Sequence, residues 1–166
     1  MLSKHLPKII YLFTFSLWMT FITLNNITDP ETNTSFIKNV LTMDLFTVGS
    51  GVGEGLLWRA VNLPFLPNVL LWGVITLEAV IDFLMWSAFF LYLSDLIKKR
   101  DLRDKTLNYI NLSISAFMSV FTCLLCSGMW FGYWMHQGSF QMVHLLGIII
   151  SILGYIMFNS TENKYL

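Results

Sequence analysis

The chain has 166 residues, of which 55% are hydrophobic and only 12% are charged, and its mean hydropathy is +0.64. The formal net charge is zero, so this composition excludes both a disordered chain and a nucleic-acid-binding domain driven by basic charge. Because ordinary soluble domains carry about a quarter charged residues, we predict an all-α integral membrane protein.

Four stretches have the length and apolar character of membrane spans. A helix needs about 20 mostly apolar residues to cross a bilayer core of roughly 30 Å. The predicted spans are residues 9–24, 69–93, 107–131 and 140–158 of a single membrane domain, 1–166. The first span follows two lysines as a signal peptide does, but no small-residue cleavage site precedes Asn25, so we predict an uncleaved anchor. The predicted fold is a four-helix bundle with a long, partly helical first outer loop.

Basic residues predict which side of the membrane each loop faces. The loop of residues 94–106 carries five basic residues, and the N-terminus adds Lys4 and Lys8. The loop of residues 25–66 has only two basic residues beside four acids. We therefore predict that both termini and the middle loop are cytoplasmic and that the first loop is outside. Aspartates are interleaved with the basic run of the middle loop, which we interpret as a topology anchor rather than a lipid-selective patch.

The first loop, residues 25–66, is too long to be without structure in so small a protein. Ser35 is a predicted cap for a short helix with one apolar face, and a second short helix is predicted over 54–62. Such amphipathic pieces are expected to lie along the outer interface or to cap the bundle. Asn26 begins a triplet that matches a glycosylation sequon on the predicted outer side.

Several short patterns in the first loop resemble a known family. They are Asn26-Ile27-Thr28-Asp29, Phe36, Val40-Leu41, Met43-Asp44 and Trp58-Arg59-Ala60. Together with an acid in the second span and aromatics that end the third, they resemble the bacterial small integral membrane proteins catalogued as domain-of-unknown-function family 2165. The resemblance covers nearly the whole chain. It implies the fold and a multi-pass location in the bacterial inner membrane, and it implies no established chemistry.

Glu78 and Asp82 are the strongest candidates for an intramembrane polar site. They lie four residues apart and so share one helix face. Glu78 stands about eleven residues after Pro67, or roughly 16 Å into the helix, near the middle of the bilayer. An acid at that depth costs at least about 2.5–3.5 kcal/mol, so it is expected to face the bundle interior and to be paired or protonated. Two interpretations stay open: a proton, ion or polar-ligand site, and a hydrogen-bonded clasp between helices.

Two residues are candidate partners for Glu78. His144 lies one turn inside the fourth predicted span. Arg59 could reach the acid if the first loop folds back over the bundle.

Small residues predict where helices approach each other closely. One set follows His144 on the same helix face, and that face is therefore predicted to point inward. The other set is a G-x-x-x-G pair at the end of the third span, which is predicted to allow close helix contacts within the bundle or between protomers. The residues are Gly147, Ser151 and Gly154 in the first set, and Gly128 and Gly132 in the second.

Redox and metal chemistry find little support in the sequence. Cys123 and Cys126 form a C-x-x-C pair of the kind that four-helix membrane thiol oxidases use, but this chain lacks their second cysteine pair and its flanks are apolar. His136 and His144 are weak candidates for haem ligands. No zinc spacing and no nucleophile–base pair is present, so we predict neither a metal nor a cofactor.

The predicted function is that of a non-enzymatic accessory or interaction subunit of a membrane assembly. Its expected partners are the lipid bilayer and either another protein or a second copy of the chain, without nucleic acid. One alternative is a small proton- or ion-coupled carrier that uses the acids of the second span. The other is a thiol–quinone or haem redox protein.

Overall fold

The structure is a computed structural model that describes residues 2–46, 48–49 and 51–160. The described part contains helices and no strand. The helices are α1 (Leu2–Thr28), α2 (Pro30–Thr42), a 3-10 helix (Glu54–Arg59), α3 (Leu66–Ile97), α4 (Asp104–Trp130) and α5 (Trp134–Asn159). The four long helices α1, α3, α4 and α5 are apolar enough to cross a membrane, which confirms the predicted all-α membrane bundle. The C-terminal residues 161–166, predicted to be cytoplasmic, lie outside the described residues.

Helices α1, α3 and α5 extend beyond both ends of the stretches that hydropathy marks, whereas α4 begins earlier, at Asp104, and ends at Trp130, one residue before the predicted end. The apolar run measures only the segment suited to lipid, whereas the backbone hydrogen bonds of a helix continue into polar residues at both ends. The last helix has a kink at Gln137, where the backbone leaves the helical region (φ −131°, ψ 44°).

The four long helices form an up-and-down bundle. Neighbours along the chain pack side by side: α1 on α3, α3 on α4 and α4 on α5, while α1 touches α5 more lightly. The centre is filled by apolar and aromatic side chains. Phe117 is fully buried, stacks on Phe121 with ring centres 4.0 Å apart, and lies 4.5 Å from the ring of Phe15. The core therefore joins α1 to α4 across the bundle as well as joining sequence neighbours.

The first loop begins its helix earlier than predicted. Asp29, not Ser35, is the N-cap of α2, and its carboxylate accepts a hydrogen bond from the backbone N–H of Thr32 at 3.2 Å. The sequence Asp29-Pro30 favours this start, because aspartate caps well and proline needs no hydrogen bond in the first turn. The second piece is a 3-10 helix that ends at Arg59, because the backbone at Ala60 turns extended (φ −57°, ψ 136°). It is shorter than the predicted helix over 54–62.

The first loop covers one end of the bundle. The ring of Phe36 lies 5.0 Å from that of Phe140, and Phe46 meets His136 edge-on at 4.5 Å. Within the loop, the backbone N–H of Val61 donates to the carbonyl of Leu41 at 2.8 Å, which ties its two helical pieces together. These contacts correspond to bundle capping, one of the two placements expected from the amphipathic pattern.

Candidate functional site

Glu78 lies in a polar contact between α1 and α3. Its side chain is 4% exposed, and Asn26 Nδ2 lies 2.7 Å from one carboxyl oxygen and 2.9 Å from the other. Asn26 belongs to the last turn of α1. A buried carboxyl group without hydrogen-bond partners would be strongly destabilising, so the amide of Asn26 allows the acid to remain inside the bundle.

Asp82 lies one turn further along α3 and also contacts α1; we call this line of polar contacts the α1–α3 seam. The hydroxyl of Thr20 lies 2.8 Å from Asp82 Oδ1 and also accepts a hydrogen bond from Trp86 Nε1 at 2.9 Å. A hydroxyl can donate one hydrogen bond and accept others, so the order Trp86 to Thr20 to Asp82 is consistent. The half-buried Asp82 and the buried Glu78 are each held by a side chain from α1.

The other two predicted site residues have different partners. His144 Nδ1 lies 3.2 Å from the hydroxyl of Tyr133. Arg59 donates from Nη1 to the carbonyl of Trp130 at 2.8 Å, and its guanidinium lies 4.4 Å from the centre of the Trp130 ring. The structure therefore places Glu78 and Asp82 one turn apart on the side of α3 that contacts α1, and it places Asn26 rather than His144 or Arg59 on Glu78.

Tyr133 belongs to the turn between α4 and α5. Burial raises the pKa of its hydroxyl to about 12, so the group stays protonated at neutral pH. It can therefore donate to the imidazole of His144, which fixes the histidine close to the covered end of the bundle.

The small face of α5 points into the bundle. Gly147, Ser151 and Gly154 are all buried, and the hydroxyl of Ser151 donates back to the carbonyl of Gly147 at 2.8 Å. A Cβ atom on Gly147 would overlap the ring of Phe121, and one on Gly154 would overlap the hydroxyl end of Tyr11. These two glycines let aromatic side chains of α4 and α1 lie directly on the α5 backbone.

Gly128 and Gly132 lie at the turn between α4 and α5. Helix α4 ends at Trp130, so Gly132 lies in the following turn, where its φ of +65° favours glycine. Gly128 is buried against the ring of Tyr133, which a Cβ atom would overlap. Both glycines therefore build the α4–α5 turn.

Asp95 is a buried acid that the sequence analysis missed. Its side chain is 3% exposed, and Arg103 Nε lies 2.5 Å from Oδ1. Its other carboxylate oxygen accepts from the fully buried hydroxyl of Thr106 at 2.6 Å. This carboxylate links the end of α3 to the start of α4 across the basic loop, and only its position next to that loop could have suggested such a link.

The described residues hold no group of three or more histidine, cysteine or acidic side chains placed to bind a metal ion. Cys123 and Cys126 are both free and exposed on the side of α4.

Comparison with known proteins places the chain in a family. No curated protein and no solved structure matches it. The family model described as "Predicted small integral membrane protein (DUF2165)" matches residues 4–161, nearly the whole chain, and agrees with the four candidate spans. The chain belongs to this family of small integral membrane proteins.

Proposed function

We propose that this protein is a non-enzymatic interaction subunit of a larger membrane assembly, and that Glu78 and Asp82 form a structural clasp between α1 and α3. The observation that carries the proposal is the partnering of these acids. Each is held by an uncharged side chain of the neighbouring helix, Asn26 or Thr20. An interior that is filled and hydrogen-bonded in this way serves to hold a shape, and the shape is what a partner would recognise.

The clasp is a poor route for protons. A relay needs groups that take up and release protons in succession along the membrane. Here the contact of Glu78 is the amide of Asn26, which does not titrate at physiological pH. The Asn26 amide therefore hydrogen-bonds to Glu78 but does not relay a proton.

The proton- or ion-coupled carrier remains the second candidate, because Asp82 is only half buried. A partly accessible acid one turn from a buried one could bind a cation. Four helices enclose at most a narrow path, so this function would require an oligomer. The redox alternative has less support, since the exposed pair of Cys123 and Cys126 comprises all the cysteines of the chain.

Purification from native membranes in a mild detergent tests the proposed function. We expect a second protein in constant stoichiometry with this chain, because an interaction subunit is extracted with its assembly. A pure homo-oligomer without any other protein would contradict the proposal and favour the carrier. An absorbance band of haem in the purified material would also contradict it.

Glu78→Gln separates the clasp from the carrier. If the acid only holds Asn26, glutamine keeps the shape and a hydrogen bond, so we expect folded yield and phenotype close to wild type. Glu78→Leu leaves the half-buried amide of Asn26 without its hydrogen-bond partner and is expected to lower the free energy of unfolding by about 1–3 kcal/mol. The measurement is thermal unfolding in detergent beside a growth or flux assay. A Gln variant that folds normally but has lost all activity would put the carrier first.

We further propose that both termini and the loop of residues 94–106 are cytoplasmic and that the protein lies in a bacterial inner membrane. Cysteine is placed at one exposed position on each side, Val48 or Asp101, in a background with Cys123→Ala and Cys126→Ala. In intact cells, an impermeant maleimide is expected to label the cysteine at 48 and to label that at 101 only after the membrane is opened. The opposite labelling pattern would invert the topology.

A further inference from the structure

A cavity of about 360 Å³ opens to the side of the bundle where α3 meets the start of α4. Its wall is mostly apolar and aromatic along α3, and its α4 end carries a lysine and a tyrosine. The lining residues are Phe83, Ser87, Phe90, Leu91, Lys105 and Tyr109. The volume falls within the range of about 300–1,000 Å³ that small-molecule sites occupy in proteins.

The cavity has the length of one membrane leaflet. From Phe83 to Leu91 the helix rises roughly 12 Å at 1.5 Å per residue. Lys105 stands beyond Leu91, level with the end of α3, because the adjacent Thr106 donates to Asp95. Half of a hydrocarbon core of roughly 30 Å is about 15 Å, so the cavity reaches from the headgroup level of the basic loop to the region of the bilayer centre.

The two ends of the cavity differ in chemistry. Phe83, which is 70% exposed, lies at the apolar end, and Phe90, which is 59% exposed, lines the same α3 wall nearer to Leu91. At the other end the ammonium of Lys105 lies 5.9 Å from the ring centre of Tyr109. The neighbouring Arg103 forms an ion pair with Asp95. Lys105 is the basic side chain of this loop that lines the cavity.

We propose that this cavity binds one anionic phospholipid, with an acyl chain along Phe83 and Phe90 and the phosphate at Lys105 and Tyr109. Charge complementarity selects the occupant: basic pockets beside membrane helices bind anionic headgroups, and an apolar partner helix would leave the lysine without a counter-charge. The basic loop as a whole remains a topology anchor. The inference does not depend on the proposed function, since a carrier could hold such a lipid equally well.

Native mass spectrometry of the full chain in mild detergent tests the charged end. Phosphatidylglycerol and phosphatidylcholine with the same acyl chains are added separately. We expect one retained phosphatidylglycerol and weaker retention of phosphatidylcholine. Lys105→Ala is expected to weaken phosphatidylglycerol binding about fivefold, the effect of one basic residue near a membrane surface, and to leave phosphatidylcholine unchanged. Lys98→Ala, an exposed lysine of the same loop outside the cavity, is the charge-matched control and is expected to behave as wild type.

Ser87→Phe tests the apolar end, because a phenyl ring would fill the cavity. It is expected to abolish retention of both lipids. Ser119→Phe is the matched control: Ser119 is likewise on the outer face of its helix and, like Ser87, donates to a carbonyl of its own helix. Equal effects of Lys105→Ala and Lys98→Ala would overturn the proposal, and this comparison decides the matter if Ser87→Phe fails to fold. Unchanged lipid retention in a folded Ser87→Phe variant would also overturn the proposal. So would a Ser87→Phe variant that loses a co-purifying protein but keeps its lipid.

Discussion

Gly154→Leu is expected to remove most of the folded protein. The glycine is buried where α5 meets α1, and the first atom of any side chain would overlap the hydroxyl end of Tyr11. That hydroxyl donates to the carbonyl of Ile150 at 3.1 Å, so the ring is held and does not move aside freely. Overpacking a filled core costs about 1–3 kcal/mol for modest additions, and a leucine adds four carbon atoms here. The fraction of monodisperse protein after detergent extraction measures the loss.

Two further variants show whether the loss comes from this contact. Ile149→Leu lies on the exposed side of the same helix and is expected to be nearly silent. Gly154→Ala should be less harmful in a Tyr11→Leu background than in the wild type, because the colliding ring is gone and contacting residues couple by about 0.5–3 kcal/mol. Similar losses at 149 and 154 would mean that α5 presents a different face to the bundle.

The sequence predicts the inward face of α5 because its small residues recur with helical spacing. Gly147, Ser151 and Gly154 allow close approach whatever the partner helix is, so the contact can be expected without knowing the fold. Helix ends are harder to predict. Hydropathy ends the first span at residue 24, whereas α1 continues to Thr28, because the last turn bonds internally and needs no lipid around it.

That difference at the end of α1 explains why the partner of Glu78 was missed. An acid in an apolar run is conspicuous by itself, but its partner depends on the register between two helices. Asn26 falls in the predicted loop, where it matches a sequon, and in the structure it belongs to α1. A signal was present: Ser16, Thr20 and Thr23 lead to Asn26 at steps of four, three and three, which is a polar stripe along one helix face.

Asp95 was missed for a different reason. It lies three residues before the basic run 98–105, so in sequence it looks like part of a solvated, mixed-charge loop. In the structure Arg103 folds back, and its backbone N–H also approaches the acid at 3.4 Å from Oδ2. The loop thereby covers the carboxylate. Local backbone geometry, which spacing and composition do not specify, decides that this acid is buried while its neighbour Asp101 is exposed.

The burial of Asp95 leads to a second large expected effect: Arg103→Ala should lower the free energy of unfolding by about 2–3 kcal/mol, because it leaves a buried carboxylate without its counter-charge. The value is below the 3–5 kcal/mol or so typical of a fully buried pair, since the Arg103 side chain is 39% exposed. Lys98→Ala removes one basic charge from the same loop and is exposed. It weakens the topology signal equally and is expected to leave stability unchanged, so the pair of variants separates the ion pair from the loop charge.

Asp95→Asn should be milder than Arg103→Ala, even though both break the same ion pair. The asparagine oxygen can still accept from Thr106, and the partly exposed guanidinium of Arg103 can turn to water. We expect a loss of about 1 kcal/mol, the value of one net hydrogen bond. The double variant Asp95→Asn/Arg103→Ala should then be more stable than Arg103→Ala alone, because it has no buried charge without a counter-charge. Thermal unfolding of the wild type, the two single variants and the double variant in one detergent gives their order of stability. A double variant less stable than Arg103→Ala alone would show that the buried charge is not the source of the loss.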